Sequence, residues 1–215
     1  MPWLNLEQGS EDWLNARKGL ITGSRFKDAR DKIKGGQPSK ACIGYAMDVA
    51  RGRAWGSSPS KFQNSAMRTG VEQEPVARAM YEARTGHMVD EVGFYVTEDA
   101  RFGLSPDGLI DDDGVIEIKT MVGSETLFTA VADHDVSAYM DQCHGYLWLL
   151  GRQWVDLILW CPDFQHMVIQ RIHRDEDAIE ALESDLMAFA KLVTQYETTL
   201  RAALQTTNEP ALEAA

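Results

Sequence analysis

The chain has no apolar run approaching the ~18 residues that a membrane-spanning helix needs, and its amino terminus shows no basic-plus-apolar leader. A soluble, cytoplasmic protein with no membrane partner is expected. Cysteine is scarce: Cys42, Cys143 and Cys161 are odd in number, far apart and without a CxxC pair, which leaves no disulfide framework and no cysteine zinc site. They read as buried thiols in a reducing compartment. Internal repeats and low-complexity segments are missing too. Positive charge is in short supply, with 21 Lys/Arg against 33 Asp/Glu and a net charge of −12, which at first argues against a polyanionic partner.

The charge is unevenly spread, however. Residues 1–68 hold 12 Lys/Arg against 6 Asp/Glu, and residues 69–215 hold 9 against 27. A basic lobe joined to an acidic body suits a phosphate backbone held against a cluster of carboxylates; chance unevenness of a solvated surface accounts for the same numbers. With 215 residues, 44% of them hydrophobic, the chain is long enough for one well-buried domain. One domain over residues 1–205 is expected, followed by a disordered tail over 206–215.

Ser10, followed by Glu11 and Asp12, caps a short helix that stops at Gly19. A second helix restarts near Thr22 or Gly23 and breaks at "GGQPS". Ser39 caps a third through Ala50, ended by Gly52 and followed by a loop at "WGSSPS". A longer helix is predicted from about Asn64 to Arg84, with Pro75 inside it as a kink or reset and Gly86 closing it. Short strands follow at Val89 to Val96 and Phe102 to Leu104. Leu109–Ile110 and Val115–Lys119 flank the turn "DDDG", its glycine placed where positive φ is easiest. "SAYMDQCHGYLWLLG" reads as a helix, and "WVDLILWC" and "MVIQRI" as strands joined by a turn at Pro162-Asp163. Asp175 caps a final long helix whose apolar residues, Ile179, Leu182, Leu186, Phe189, Val193, Tyr196 and Leu200, step by three and four. The order gives an α/β or α+β domain: a helical first third, a short mixed sheet flanked by helices, and a long carboxy-terminal helix.

The densest chemistry lies in "SPDGLIDDDGVIEIK", residues 105–119. On a strand, Glu117 and Lys119 share one face ~7 Å apart, with Ile118 turned the other way. Pro106-Asp107, nine residues, then Glu117-x-Lys119 is the PD-(D/E)xK signature of metal-dependent nucleases. Carboxylates of this kind suit Mg2+ or Mn2+, and a nearby ammonium can orient a water or hold developing charge. An acidic surface hairpin explains the same residues more plainly. A calcium loop fails, because Leu109 and Thr120 stand where its first and twelfth ligands belong. Asp111, Asp112 and Asp113 are therefore expected to be a solvated turn. Gln142 and Tyr146 lie one helical turn apart, and Glu72 and Glu74 sit beside Pro75; both pairs suit either a site or a wet helix face.

Together with "WLNARKGLITGS" (13–24), "GVEQEPVAR" (70–78), "LSPDGL" (104–109), "IEIK" (116–119) and "YMDQCHGYLWL" (139–149), these residues make the chain resemble the phage lambda exonuclease family over roughly residues 10–175. The resemblance implies a PD-(D/E)xK restriction-endonuclease-like core and a Mg2+-dependent exonuclease, with Mn2+ a possible substitute and one or two ions per site. Such an enzyme enters at double-stranded DNA ends and digests one strand 5′→3′. It releases mononucleotides and leaves a 3′ tail for a single-strand annealing protein. The resemblance further implies a homotrimeric ring around the DNA, in the cytoplasm of a bacterial host cell. By position it makes Glu74, Asp107 and Glu117 metal ligands and Lys119 the catalytic lysine, with Gln142 in the active-site shell. Arg17, Ser24 and Ser105 become the 5′-phosphate pocket, where an arginine fork and hydroxyl donors match a terminal phosphate. Met67 matches an apolar wedge between strands, and equally suits packing.

The chain departs from the family pattern at Thr120-Met121, where Cys-Pro is common, and at His144, where a second glutamine is common. The short segment before residue 10 puts any contacts the family makes there in doubt. Two other readings stand beside the exonuclease: a structure-specific or restriction-type endonuclease with the same site, and a non-enzymatic acidic interaction module.

Overall fold

The structure is a computed structural model in which residues 3–57 and 65–206 are described. The end of the loop expected at 55–60, the helix start expected at Asn64, and positions 207–215 of the expected tail lie outside the described residues. Among the described residues eight strands and seven α-helices follow in chain order: β1 (Trp3–Leu4), α1 (Glu11–Ala16), β2 (Ile21–Thr22), α2 (Phe26–Ala29), α3 (Lys40–Trp55), α4 (Ser65–Thr85), β3 (Phe94–Val96), β4 (Phe102–Leu104), β5 (Gly108–Ile110), β6 (Gly114–Thr120), α5 (Ser124–Leu127), α6 (Ser137–Leu149), β7 (Trp154–Cys161), β8 (His166–His173) and α7 (Glu176–Thr206). The expected α/β architecture is present, with one correction: the single short sheet is two mixed sheets of four strands, ordered β1-β3-β4-β2 and β5-β6-β7-β8. The first escaped the sequence reading because β1 and β2 are two residues long, too short for any alternation to register.

The second sheet positions the site. Its two central strands, β6 and β7, run parallel, with Glu117 beside Leu157 and Lys119 beside Leu159. Parallel neighbours need a crossover, and α5 and α6 supply it. Each face of this sheet is buried in its own core. On one side Val115, Leu157 and Leu159 pack with Tyr146 and Leu147 of α6 and with α3 and α7. On the other, Ile116, Ile118, Ile158 and Trp160 meet Ala77 and Tyr81 of α4. Burial on both faces is why "WVDLILWC" reads as an almost unbroken apolar run. The apolar strip of α7 packs on the body, with Ile179, Leu182, Leu186, Phe189 and Val193 all buried, and the helix extends to Thr206.

Several local expectations shift for identifiable reasons. Helix α3 passes through Gly52 and ends at Trp55, with Gly56 in the left-handed region at φ 63°. Gly52 is needed for close approach instead: a Cβ there would stand 2.4 Å from the backbone nitrogen of Gly19. The second helix is only the four residues of α2, after a 3-10 turn over Gly23–Arg25. Pro75 does not divide α4, which is one helix with Ala77 and Tyr81 buried beneath it. The strand expected over 89–96 shrinks to Phe94–Val96, with Asp90 bridging to Leu109. In the "DDDG" turn the left-handed residue is Asp111 (φ 45°). Gly114 is already on the ladder opposite Ile110, because the Trp154 ring lies where a Cβ would be, at 2.4 Å. Asp111, Asp112 and Asp113 are exposed, as expected of a turn in water, and the three cysteines are buried free thiols.

Part of the basic surplus of the first third is spent internally. Arg30 donates to Asp141 at 2.7 Å and to Asp185 at 2.9 Å, and Lys32 reaches Asp185 at 2.6 Å. Arg25 pairs with Asp28 and Asp48. These contacts tie the segment after α2 to α6 and α7. Burial would raise the Asp185 carboxyl, but hydrogen bonds from Lys32 and Arg30 outweigh it and hold the group below the usual carboxylate range. A depressed carboxyl contributes stability above its unfolded pKa, and that contribution disappears as pH falls through the folded value. Asp185→Asn should therefore lower Tm at neutral pH, and the gap to wild type should close below about pH 4, as read by thermal melts over an acid series. Gly145 of α6 packs against the buried Phe26, whose ring lies 2.4 Å from where a Cβ would be. Gly145→Ala should cost about 1–3 kcal/mol by overpacking, measurable by urea unfolding.

Candidate active site

Strand β6 delivers the chemistry. Glu117 and Lys119 project to the α6 side while Ile116 and Ile118 fill the α4 side, so alternation places an acid and a base at the edge of an aliphatic core. Asp107 precedes β5 by one residue, and the register Gly108↔Ile116 continued one step sets it opposite Glu117. Its Oδ2 accepts from the backbone N–H of Ile118 at 2.6 Å. Asp107 and Glu117 are nearly dry, at 9% and 3% exposure.

Helix α6 closes the site with a ring of hydrogen bonds. Lys119 Nζ stands 2.6 Å from Glu117 Oε1 and donates to Gln142 Oε1 at 3.1 Å. Gln142 Nε2 donates to Glu117 Oε1 at 2.9 Å and to the Tyr146 hydroxyl at 2.7 Å. Tyr146 in turn donates to Glu117 Oε2 at 2.6 Å. Gln142 thus faces the sheet and not solvent.

Electrostatics follow from the burial. Desolvation, then the charges of Glu117 and Glu74, hold the Asp107 carboxyl well above its ordinary range. Burial raises Glu74 as well, Arg78 opposes this, and Glu117 adds to it; Arg78 holds Glu74 at 2.7 Å and Glu91 at 2.8 Å. Burial alone would lower the Lys119 pKa, but Glu117 and Asp107 reverse the sign, so the amine remains an ammonium. Tyr146 is pushed well up by burial and by the same carboxylates, and keeps its proton.

Among the described residues no three His, Cys, Asp or Glu side chains already converge as a metal cluster. Internal cations hold the acids instead, Lys119 on Glu117 and Arg78 on Glu74. The donor set nonetheless fits a hard divalent ion: the acids are oxygen donors, and their mutual repulsion in a dry setting is what such a charge relieves.

A second cluster lies beside the first. The Arg17 guanidinium stacks over Trp13, 4.1 Å from the ring centroid, and its Nη2 donates to Ser24 Oγ at 3.3 Å. Trp13 Nε1 donates to Ser105 Oγ at 3.3 Å, and Ser105 donates to Gln8 at 3.0 Å. Arg17 has no ion pair to a carboxylate among the described residues, and burial lowers its pKa. A half-buried guanidinium flanked by hydroxyls suits an anion. The structure thus brings Arg17, Ser24 and Ser105 to one locality, and Met67 is an exposed residue on the first turn of α4. Sequence reading missed Trp13, Gln8 and Arg78. Two of them carried a visible signal, since Trp13 precedes Arg17 by four residues and Arg78 follows Glu74 by four, the spacing that brings helix neighbours together. Gln8 had none.

Comparison with known proteins identifies the family. The family described as YqaJ-like viral recombinase domain matches residues 12–153. The curated proteins give no match. Among solved structures, the alkaline exonuclease LHK-Exo from Laribacter hongkongensis is 33% identical, covering 92% of this chain and 100% of its own, with a TM-score of 0.78. Its complex with dAMP gives the same identity and coverage and a TM-score of 0.79. A phage-related exonuclease from Haemophilus somnus 129PT shares the fold at 16% identity, covering 86% of this chain and 96% of its own, with a TM-score of 0.66. The chain belongs to the YqaJ-like viral recombinase family, and it is a nuclease built on the PD-(D/E)xK fold.

Proposed function

We propose that the protein is a Mg2+-dependent exodeoxyribonuclease that digests one strand of a DNA duplex 5′→3′ from its end, releasing 5′-mononucleotides and leaving a 3′ tail for a single-strand annealing protein. The observation that carries this reading is the adjacency of two clusters. Asp107, Glu117, Lys119 and Gln142 form a hydrolytic centre, and Arg17, Ser24 and Ser105 form an anion pocket linked to it through Tyr146, whose hydroxyl is 3.3 Å from the Ser105 carbonyl. A pocket for a terminal phosphate beside a phosphodiester-cleaving centre sets both the polarity and the requirement for an end. The complex of LHK-Exo with dAMP, a deoxynucleoside monophosphate, supports the mononucleotide product.

Glu74, Asp107 and Glu117 would hold the divalent cation, which supplies Lewis acidity and lowers the pKa of a water. The protein's own part follows from the bonds described. Lys119 is an ammonium and hence a donor: it orients the attacking water and stabilises negative charge developing on the phosphate. Gln142 fixes that ammonium and Glu117 relative to each other through its two amide ends. Arg17 and the serine hydroxyls hold the 5′-terminal phosphate, so the scissile bond is placed by the end of the strand. Met67 is proposed as the wedge that parts the strands. In a homotrimeric ring, the cations of the first third not spent on Asp28, Asp48, Asp141 and Asp185 would face the duplex while the acidic body faces solvent.

With Mg2+ and linear duplex, Lys119→Ala should lose on the order of 10²–10⁴ in rate; digestion equal to wild type would sink the assignment. Wild type should prefer a 5′-phosphorylated end over a 5′-hydroxyl end. Arg17→Ala should lose on the order of tenfold to a hundredfold of that preference, the worth of a charge-assisted hydrogen bond. A covalently closed circular duplex should remain intact, and its cleavage would turn the reading to an endonuclease. No digestion of any DNA and no Mn2+ uptake by calorimetry would leave an acidic interaction module.

A further inference from the structure

One buried polar group bridges the two clusters and takes no part in the proposed hydrolysis itself. Tyr146 is 1% exposed, one turn beyond Gln142 on α6, and its ring is packed in the core with Cys143 and Leu147. Its hydroxyl is nonetheless fully engaged. It accepts from Gln142 Nε2 at 2.7 Å and has one proton to give, with two acceptors within reach: Glu117 Oε2 at 2.6 Å and the Ser105 carbonyl at 3.3 Å. The proton is shared in a three-centre bond, with the nearer and charged Glu117 oxygen the major acceptor and the Ser105 carbonyl the minor one. Lys119 and Gln142 both bond Glu117 Oε1, which among the described residues leaves Tyr146 as the side chain that restrains Oε2.

We propose that Tyr146 is a positioning residue that orients the Glu117 carboxylate and ties it to the Ser105 segment, so that the anion pocket and the hydrolytic centre keep one relative geometry. Glu117 ends a lever of rotatable bonds. With one oxygen tethered it can still turn about its terminal bond; with both tethered it cannot. Ser105 begins the segment that runs through Asp107 into β5. A hydroxyl reaching both Glu117 and the Ser105 backbone therefore spans the place where the strand end would be held and the place where the bond would be cut. Three further observations bring the same elements together. Gly23, at the start of the turn that carries Ser24, lies against Leu104 and the Gln142 side chain, at 2.8 and 4.0 Å from where its Cβ would be. Trp13, which stacks under Arg17, donates to Ser105. Gly145 lets α6 lie directly on Phe26, which sets the depth at which Tyr146 enters.

This inference rests on the proposed exonuclease reading and is separable from it by Tyr146→Phe, which keeps the ring and removes only the hydroxyl. Loss of an outer partner of a metal-ligating group typically costs about 10–100-fold in metal affinity or activity. Tyr146→Phe, free of DNA, should bind Mn2+ about tenfold or more weakly than wild type by calorimetry. It should also lose most of the rate preference for a 5′-phosphorylated over a 5′-hydroxyl duplex end, although Arg17, Ser24 and Ser105 are untouched. Its Tm should remain within a few degrees of wild type, as a surviving ring requires; a role in packing alone would move Tm and leave Mn2+ affinity and end preference as they were. If Tyr146→Phe matches wild type in both Mn2+ affinity and end preference while wild type digests linear duplex, the positioning role is wrong and the exonuclease reading stands. If wild type itself neither takes up Mn2+ nor digests duplex DNA, both fall together.

Discussion

The structure turns on the pairing of two buried acids with the partly buried ammonium of Lys119. Asp107 and Glu117 sit almost out of water at the edge of a core, and Lys119 is the cation that comes closest to neutralising them. Burying charge this way costs several kcal/mol per ion unless partners are in place. Everything around the site reads as provision of those partners. The Ile118 amide bonds Asp107, both ends of the Gln142 amide span Glu117 and Lys119, and a phenol that keeps its proton takes the remaining Glu117 oxygen. The excess negative charge that is left is what a divalent ion, in the proposed function, would relieve.

The fold serves that pairing by making β6 face two ways. Its odd-numbered residues from 115 to 119 look toward α6 and its even-numbered ones toward α4, and each side has its own core. The aliphatic side anchors the strand so that the polar side can be held in place without relying on its own charges for stability. Helix α6 then works at close range, since Gly145 removes the one atom that would hold it off Phe26. Ion pairs from Arg30 and Lys32 to Asp141 and Asp185 lash the basic first third to the acidic remainder. Part of the charge asymmetry that suggested a polyanion partner is thus structural, and the proposed phosphate contact falls to Arg17, which has no carboxylate partner among the described residues.

Much of this was legible in the chain. Alternation on 115–119 gave the faces of Glu117 and Lys119, the i,i+4 spacing put Gln142 and Tyr146 on one helix face, and the steps of three and four on α7 marked its buried strip. Two kinds of failure are instructive. Very short strands carry no period, so β1 and β2, and with them the first sheet, went unseen. Glycines carry more than one meaning: Gly52 and Gly114 read as a helix stop and a turn, and both turned out to be points where another element needs the space of a Cβ.

Local order and chemistry were therefore determined by the sequence on its own: which residues ionise, which faces are apolar, and which spacing can present an acid, a second acid and a lysine together. Tertiary structure alone decided that Gln142 faces the sheet and not solvent, that Trp13 and Gln8 meet Ser105, and that Tyr146 reaches Glu117 and the Ser105 backbone at once. The reason is one of range. Periodicity and capping act over a few residues, whereas these contacts join positions up to 97 residues apart, and only the packing of both sheets and their helices sets such distances.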